Sequence, residues 1–376
     1  VSVELGRPAD FFDAVEREAV NGAPIPVWRG ELYFEMHRGT LTSQLRTKLG
    51  NRRCERLLVE AELWSAALGR AADVDDLWRE VLTQQFHDIL PGSSIAWVHR
   101  DAEEVFERVG ADLESRIDGM LAELGTGPIV IANRADAAFD GIVRVPASAV
   151  SDGARDGAAA TQEMGDGTCA VRVTAPALAV APIEPLEVDD RVVVTDTSMT
   201  NGQLAVRWNA HGDITSVIDL THRRELIPEG ALAASLELAR DQPVEYDAWD
   251  LESWTRAGGR HLGGGSVTVE ASGPLVGTVT VRREFGPSAA TVTYELHAGS
   301  RQLLVRVDLD WRHDEHLLSM AFPLDVRADQ AACDVQFGVA MRPTHPSSPW
   351  DAAKFEVCAH RFVSLAEPAF GAAVLN

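Results

Sequence analysis

Lysine is nearly missing from these 376 residues. Lys48 and Lys354 are the only two, and arginine carries the rest of the side-chain positive charge. Taken alone, that reads as coding bias rather than mechanism. Cysteine is scarce too, with Cys54, Cys169, Cys333 and Cys358 far apart and no C-x-x-C. Neither a zinc cluster nor a disulfide scaffold is expected, and a reducing compartment fits. No apolar run approaches the roughly 18 residues of a membrane span. No basic start followed by an apolar core marks a secretory signal. Positive charge is in deficit overall, with 34 basic against 57 acidic side chains and a formal charge of −23. That argues against nucleic acid and anionic membranes as partners, because phosphate binding needs net or clustered positive charge. P-loop and dinucleotide-binding glycine patterns are absent, as is any repeat of fixed period.

What is present is a core-forming composition, 45% hydrophobic, at a length that predicts two or three domains of about 150 residues. The chain opens on Val1 rather than Met and stops at Asn376 inside what reads as a strand. A piece of something longer is therefore expected. The text changes character near residue 126, helical before it and strand-like after it. Residues 1–38 give a helix over Asp10–Val20, with Asp10 as N-cap, and a strand over Val27–Met36. Residues 39–125 give three helices. The first runs from about Thr40 to Leu68, with Leu57, Ala61, Trp64 and Leu68 in a row and a basic first half at Arg46, Lys48, Arg52, Arg53 and Arg56. Such a basic face is either solvated or a contact surface for an acidic neighbouring domain. The second runs from Asp73 to about Ile89, where Pro91 stops it, on a stripe of Val74, Leu77, Trp78, Val81, Leu82, Phe86 and Ile89. The third is capped by Ser93 or Ser94 and continues through Val98, Val105, Val109, Leu113, Ile117 and Leu121. A three-helix bundle is predicted. Residues 126–376 give roughly ten strands, among them Gly127–Asn133, Ser266–Ala271, Thr278–Glu284, Ala290–His297, Leu303–Trp311 and Phe355–Phe362, with a turn at Asn209–Gly212. That predicts an antiparallel β-sandwich.

Two stretches could carry chemistry. In Gln84-Gln-Phe-His-Asp-Ile-Leu-Pro-Gly92 the helical wheel sets His87 opposite the apolar stripe, so it is not a core histidine of the bundle. A histidine at a helix C-terminus has an ordinary dipole explanation; metal ligation or substrate contact is the other reading. Asp241–Trp254 holds five carboxylates interleaved with Tyr246, Trp249 and Trp254. Ring faces stack on sugars and carboxylates accept hydroxyl hydrogen bonds, so this is either a sugar-binding loop or an acidic surface loop.

Several segments carry a resemblance. Gly30-Glu-Leu-Tyr-Phe-Glu-Met-His-Arg-Gly-Thr-Leu-Thr-Ser-Gln44, Arg46-Thr-Lys48 and Gly50-Asn-Arg-Arg53 resemble the family 38 glycoside hydrolases, the metal-dependent α-mannosidases. Gln85–Ser94 is similar to that family's metal-site helix. Tyr246-Asp-Ala-Trp-Asp250, Gln336-Phe-Gly338, Arg342-Pro-Thr-His345 and Ser348–Arg361 are similar too, and point to the branch of cytosolic and vacuolar enzymes and their bacterial relatives. The resemblance implies a multidomain α+β chain: the last elements of an α/β barrel-like catalytic domain (1–38), the bundle (39–125) and a truncated, largely antiparallel sandwich (126–376).

It also implies a retaining exo-α-mannosidase with an Asp nucleophile, an Asp acid/base and a divalent ion, zinc or cobalt. Carried onto this sequence, His87 is a metal ligand, Asp88 a sugar-hydroxyl contact and His37 a residue lining the sugar site. The nucleophile, the acid/base and the other metal ligands are expected upstream of Val1, and one ligand of four does not hold zinc tightly. His211-Gly-Asp213 has the spacing of the family's His-x-Asp pair but falls in a sandwich turn. The expectation is therefore a part of an α-mannosidase that is inactive alone, acts on α-mannoside oligosaccharides in the cytoplasm, and is homo-oligomeric if it follows its family. Two readings compete: a non-catalytic carbohydrate-binding or interaction module, and a catalytically dead homologue.

Overall fold

A computed structural model describes residues 3, 5–27, 35–127, 129–150 and 161–376. The first helix, α1 (Pro8–Val20), begins two residues before the predicted cap. Pro8 presets its first turn, and Asp10 caps backwards, its carboxylate accepting the Arg7 N–H at 3.1 Å and the Arg7 guanidinium at 2.8 Å. No residue of α1 is buried. Most of the strand predicted over Val27–Met36, with the motif residues 30–34, lies outside the described residues. Its last two positions belong instead to a 3-10 turn, Glu35–Leu41.

That turn also corrects the start of the next helix, α2 (Leu45–Ala67), which does not begin at Thr40. Thr40 and Ser43 donate their hydroxyls to the carbonyls of His37 and Gly39. Such local bonds compete with helix formation, and Gln44 then breaks the path at φ 53°. Helix α3 spans Asp75–Gln84 and stops five residues short of Ile89. Leu82 and Phe86, read as part of its apolar stripe, are exposed. Helix α4 spans Ala96–Leu124 from Ile95, with no side-chain cap. Ser93 is not the cap; its hydroxyl reaches the Asp88 carbonyl.

The three helices enclose one apolar core. Leu57, Leu58, Ala61 and Trp64 of α2 meet Leu77 and Val81 of α3 and Phe106, Val109 and Leu113 of α4, all buried. Each buried Leu, Val or Phe among them contributes about 1.5–3 kcal/mol of transfer free energy. The basic half of α2 divides between the two readings: the side chain of Arg46 is 85% exposed, while Arg52 reaches the strand-rich part of the chain. Arg53 pairs with Glu107 and Glu114 of α4, Arg56 with Glu60, and Arg52 donates to the carbonyls of His360 and Asn376.

Beyond residue 129 the described residues form twenty-one strands rather than ten, and the paired ladders run antiparallel. The strand Ser288–His297 alternates buried and half-buried positions along its whole length, the period-two signature of a sheet with one face in the core. It is the third strand of a four-stranded sheet over residues 266–310. Val279, Val281, Val292 and Tyr294 of that sheet share a core with Val206, Trp208 and Ile214 of a five-stranded sheet over residues 193–225. At its edge Asp213 is fully buried, bound by Arg283 (2.8 Å), His261 (3.0 Å) and Asn209 (3.2 Å). The strand predicted over Phe355–Phe362 is not formed. A short helix, Pro349–Ala353, precedes irregular chain, and the strand starts at Phe362.

Candidate functional site

The 3-10 turn is where distant segments meet. The Gly39 N–H donates to the Trp249 carbonyl at 2.9 Å. A Cβ on Gly39 would stand 2.7 Å from the Asp250 carbonyl oxygen, so only glycine permits this approach. It brings the His37 ring to 4.8 Å from Trp249, centroid to centroid, tilted by 57°. From the next position Arg38 donates to the Ala353 carbonyl at 2.6 Å and lays its guanidinium 4.1 Å from the centre of the Phe355 ring.

The chain leaves the turn at Ser43, and here Lys48 enters. Its ammonium donates to the carbonyls of Ser43 (2.5 Å), Leu90 (3.0 Å) and Pro91 (3.1 Å). Burial pushes Lys48 down to about 8. Gly92, at φ 94°, packs its Cα against Ser43, where a Cβ would meet the Ser43 Cβ at 2.7 Å. Behind this contact His99 is buried, with Nδ1 3.2 Å from the Thr47 hydroxyl. Burial, then the charge of Lys48, holds His99 below the ordinary histidine range.

His87 and Asp88 sit at the apex of the segment that Lys48 holds. The segment is a run of turns rather than the helix end that was predicted. Ile89 and Leu90 donate their N–H groups to the Phe86 carbonyl. Gln85 is drawn to α2, its amide donating to Asn51 (3.0 Å) and Glu55 (2.7 Å). Those bonds, with the capture of the Leu90 and Pro91 carbonyls, take the chain off the helical path. The side chain of His87 is 77% exposed and that of Asp88 44%, with Nε2 to Oδ2 at 3.6 Å. The His87 ring leans on Phe86 at 4.2 Å. Among the described residues no group of three or more His, Cys, Asp and Glu side chains is placed to hold one metal ion. His87 offers one imidazole and Asp88 a neighbouring carboxylate, so a four-ligand zinc site does not fit these residues by themselves.

The acidic loop meets the 3-10 turn at Gly39 and His37. Tyr246, at φ 56°, turns the chain, and its carbonyl accepts the N–H groups of Trp249 (2.7 Å) and Asp250 (2.9 Å). Its ring and that of Trp254 are 59% and 55% exposed. Burial and then the charge of Asp247 raise Asp241 above the ordinary carboxylate range. His211-Gly-Asp213 is no ligand pair, since Asp213 is sealed in its bonds to Arg283 and His261. Sequence reasoning placed His37, His87 and Asp88 in one site but missed Lys48 and the Trp249 stack. The signal for Lys48 was its rarity, because an ammonium stands where this chain otherwise uses arginine.

Residues 35–124 match the alpha mannosidase middle domain, and residues 199–376 match the glycosyl hydrolases family 38 C-terminal domain. Alpha-mannosidase 2C1 of Mus musculus is 32% identical over 401 aligned residues, which take in 100% of this chain and 37% of the mouse protein. Alpha-mannosidase of Saccharomyces cerevisiae is 29% identical over 98% of this chain and 33% of its own. The chain thus spans about a third of these relatives' length. The crystal structure of an alpha-mannosidase from Enterococcus faecalis V583 superposes with a TM-score of 0.70 at 15% identity, over 97% of this chain and 53% of that one. By the two domain matches and by its likeness along its whole length, the chain belongs to glycosyl hydrolase family 38.

Proposed function

We propose that this chain is part of a retaining exo-α-mannosidase that removes terminal α-mannosyl residues from oligosaccharides in the cytoplasm. The observation that carries the reading is the meeting of the His37 turn with the Trp249 loop and the Arg38–Phe355 contact, with Lys48 and Gly92 tying Ser43, just past that turn, to the segment that carries His87 and Asp88. Here Trp249 and His37 offer ring faces to a sugar, and Asp88 accepts a hydroxyl hydrogen bond. His87 would serve as one ligand to a zinc or cobalt ion, which would polarise sugar oxygens when bound. The remaining ligands, the nucleophile and the acid/base are assigned to the portion of the relatives' length that this chain does not span. The barrel-like remnant over 1–38, the three-helix bundle over 39–125 and the sandwich over 126–376 belong to this reading.

The native protein should hydrolyse an aryl α-mannoside, and His87→Ala should abolish turnover. The 376-residue chain alone should be inactive. Unchanged turnover in His87→Ala would remove the ligand assignment. The exposed rings of Tyr246 and Trp254 beside carboxylates favour a second reading, a non-catalytic carbohydrate-binding module. Mannose titration of this chain followed by tryptophan fluorescence separates the two, because saturable binding without metal would favour the module.

A further inference from the structure

Three polar side chains of α2 reach the turn that carries His87 and Asp88. Lys48, Asn51 and Glu55 stand at i, i+3 and i+7, a spacing that puts them on one side of the helix. Asn51 and Glu55 take the Gln85 amide at one end of the turn, and Lys48 takes the Leu90 and Pro91 carbonyls at the other. The apex between them keeps its side chains in solvent. The third bond of Lys48 goes to Ser43, two residues past the end of the 3-10 turn that holds His37.

We propose that Lys48 is a positioning residue that fixes the His87–Asp88 apex against the His37 turn. The inference rests on the proposed function. An ammonium has three N–H donors and no acceptor, and three carbonyls use all of them. A neutral isostere leaves those carbonyls short of donors. The planar fork of arginine cannot aim three N–H groups at three carbonyls converging on one point. The His87 ring rests on Phe86, itself exposed, and beside the apex Ile89 packs on the helix core while Ser93 reaches the Asp88 carbonyl. A displacement of about 1 Å in a positioned group costs on the order of 100-fold in rate.

The test uses the native protein and Lys48→Met. The expected kcat on an aryl α-mannoside falls about 100-fold, with a smaller change in KM. Amide hydrogen exchange should speed up over 85–92 and 39–44 and stay slow in the buried half of α4. Lys48→Arg should not restore kcat. Gln85→Ala, which frees the other end of the turn without touching the buried cation, should show the same regional exchange and a smaller loss of kcat. Lys48→Arg, which keeps the buried charge, decides the question if Lys48→Met does not fold. Full activity in Lys48→Met or Lys48→Arg overturns the inference. A lower melting temperature with kcat retained also overturns it, because the lysine is then structural only. His87→Ala separates the two readings. If it leaves kcat intact, the proposed function fails. If it abolishes kcat while Lys48→Met does nothing, only the role of Lys48 fails.

Discussion

Gly39 sets how near the His37 turn stands to the Trp249 loop. Its missing side chain is the space that the Asp250 carbonyl occupies. Gly39→Ala should cost about 1–3 kcal/mol, the usual range for forcing an extra carbon into a close contact, read as a lower denaturation midpoint. An unchanged midpoint would mean that the loop yields freely. Sequence pattern alone did not single out this glycine, because a backbone approach has no period. Lys48 was passed over for a similar reason. A helical wheel reports which face is apolar and says nothing of three carbonyls arriving from elsewhere. The reading of His87 and Asp88 as site residues rests on a long motif; what the structure bears out is the wheel's placement of His87 away from the core, its side chain 77% exposed.

Helix and strand boundaries show where local pattern loses to tertiary capture. The apolar row of α2 is legible because Leu57, Ala61 and Trp64 recur at helical spacing and are buried. The end of α3 is not, because Gln85 is drawn off by Asn51 and Glu55. The strand foreseen over Phe355–Phe362 is lost in the same way, with Ala353 and His360 giving their carbonyls to Arg38 and Arg52. A second tie of this kind joins the strand Ile214–Asp219 to Arg301. Burial alone would raise Asp219, but the His222 N–H, the His222 ring and the Arg301 guanidinium hold it down at about 2. The folded value lies below the unfolded one. Its stabilisation is therefore present above the ordinary carboxylate range and lost as pH falls toward 2. Asp219→Asn should cost about 1–3 kcal/mol and flatten the pH dependence of melting between about 4 and 2. An unaltered acid limb would show that other carboxylates carry it.

Taken whole, the molecule is a polyanion at −23. Self-repulsion of that size works against compaction. Its arginine–carboxylate pairs are mostly at the surface, where each is worth about 0–1 kcal/mol. Melting temperature should therefore rise as sodium chloride goes from a few millimolar to about 0.15 M; a fall would mean that the pairs outweigh the repulsion. The two-part division, helices then antiparallel sheets, was legible from the change of period near residue 126. The meeting place of the parts was not, since its contacts join residues hundreds of positions apart. Arg38 and the Ala353 carbonyl are separated by 315 residues. At about 5–20 residues per second on the ribosome, the second is made tens of seconds after the first. The helices, whose contacts are comparatively local, have that interval in which to fold. The 3-10 turn does not complete its contacts in that interval, because the Trp249 loop and the Ala353 carbonyl that meet His37 and Arg38 are made long after it.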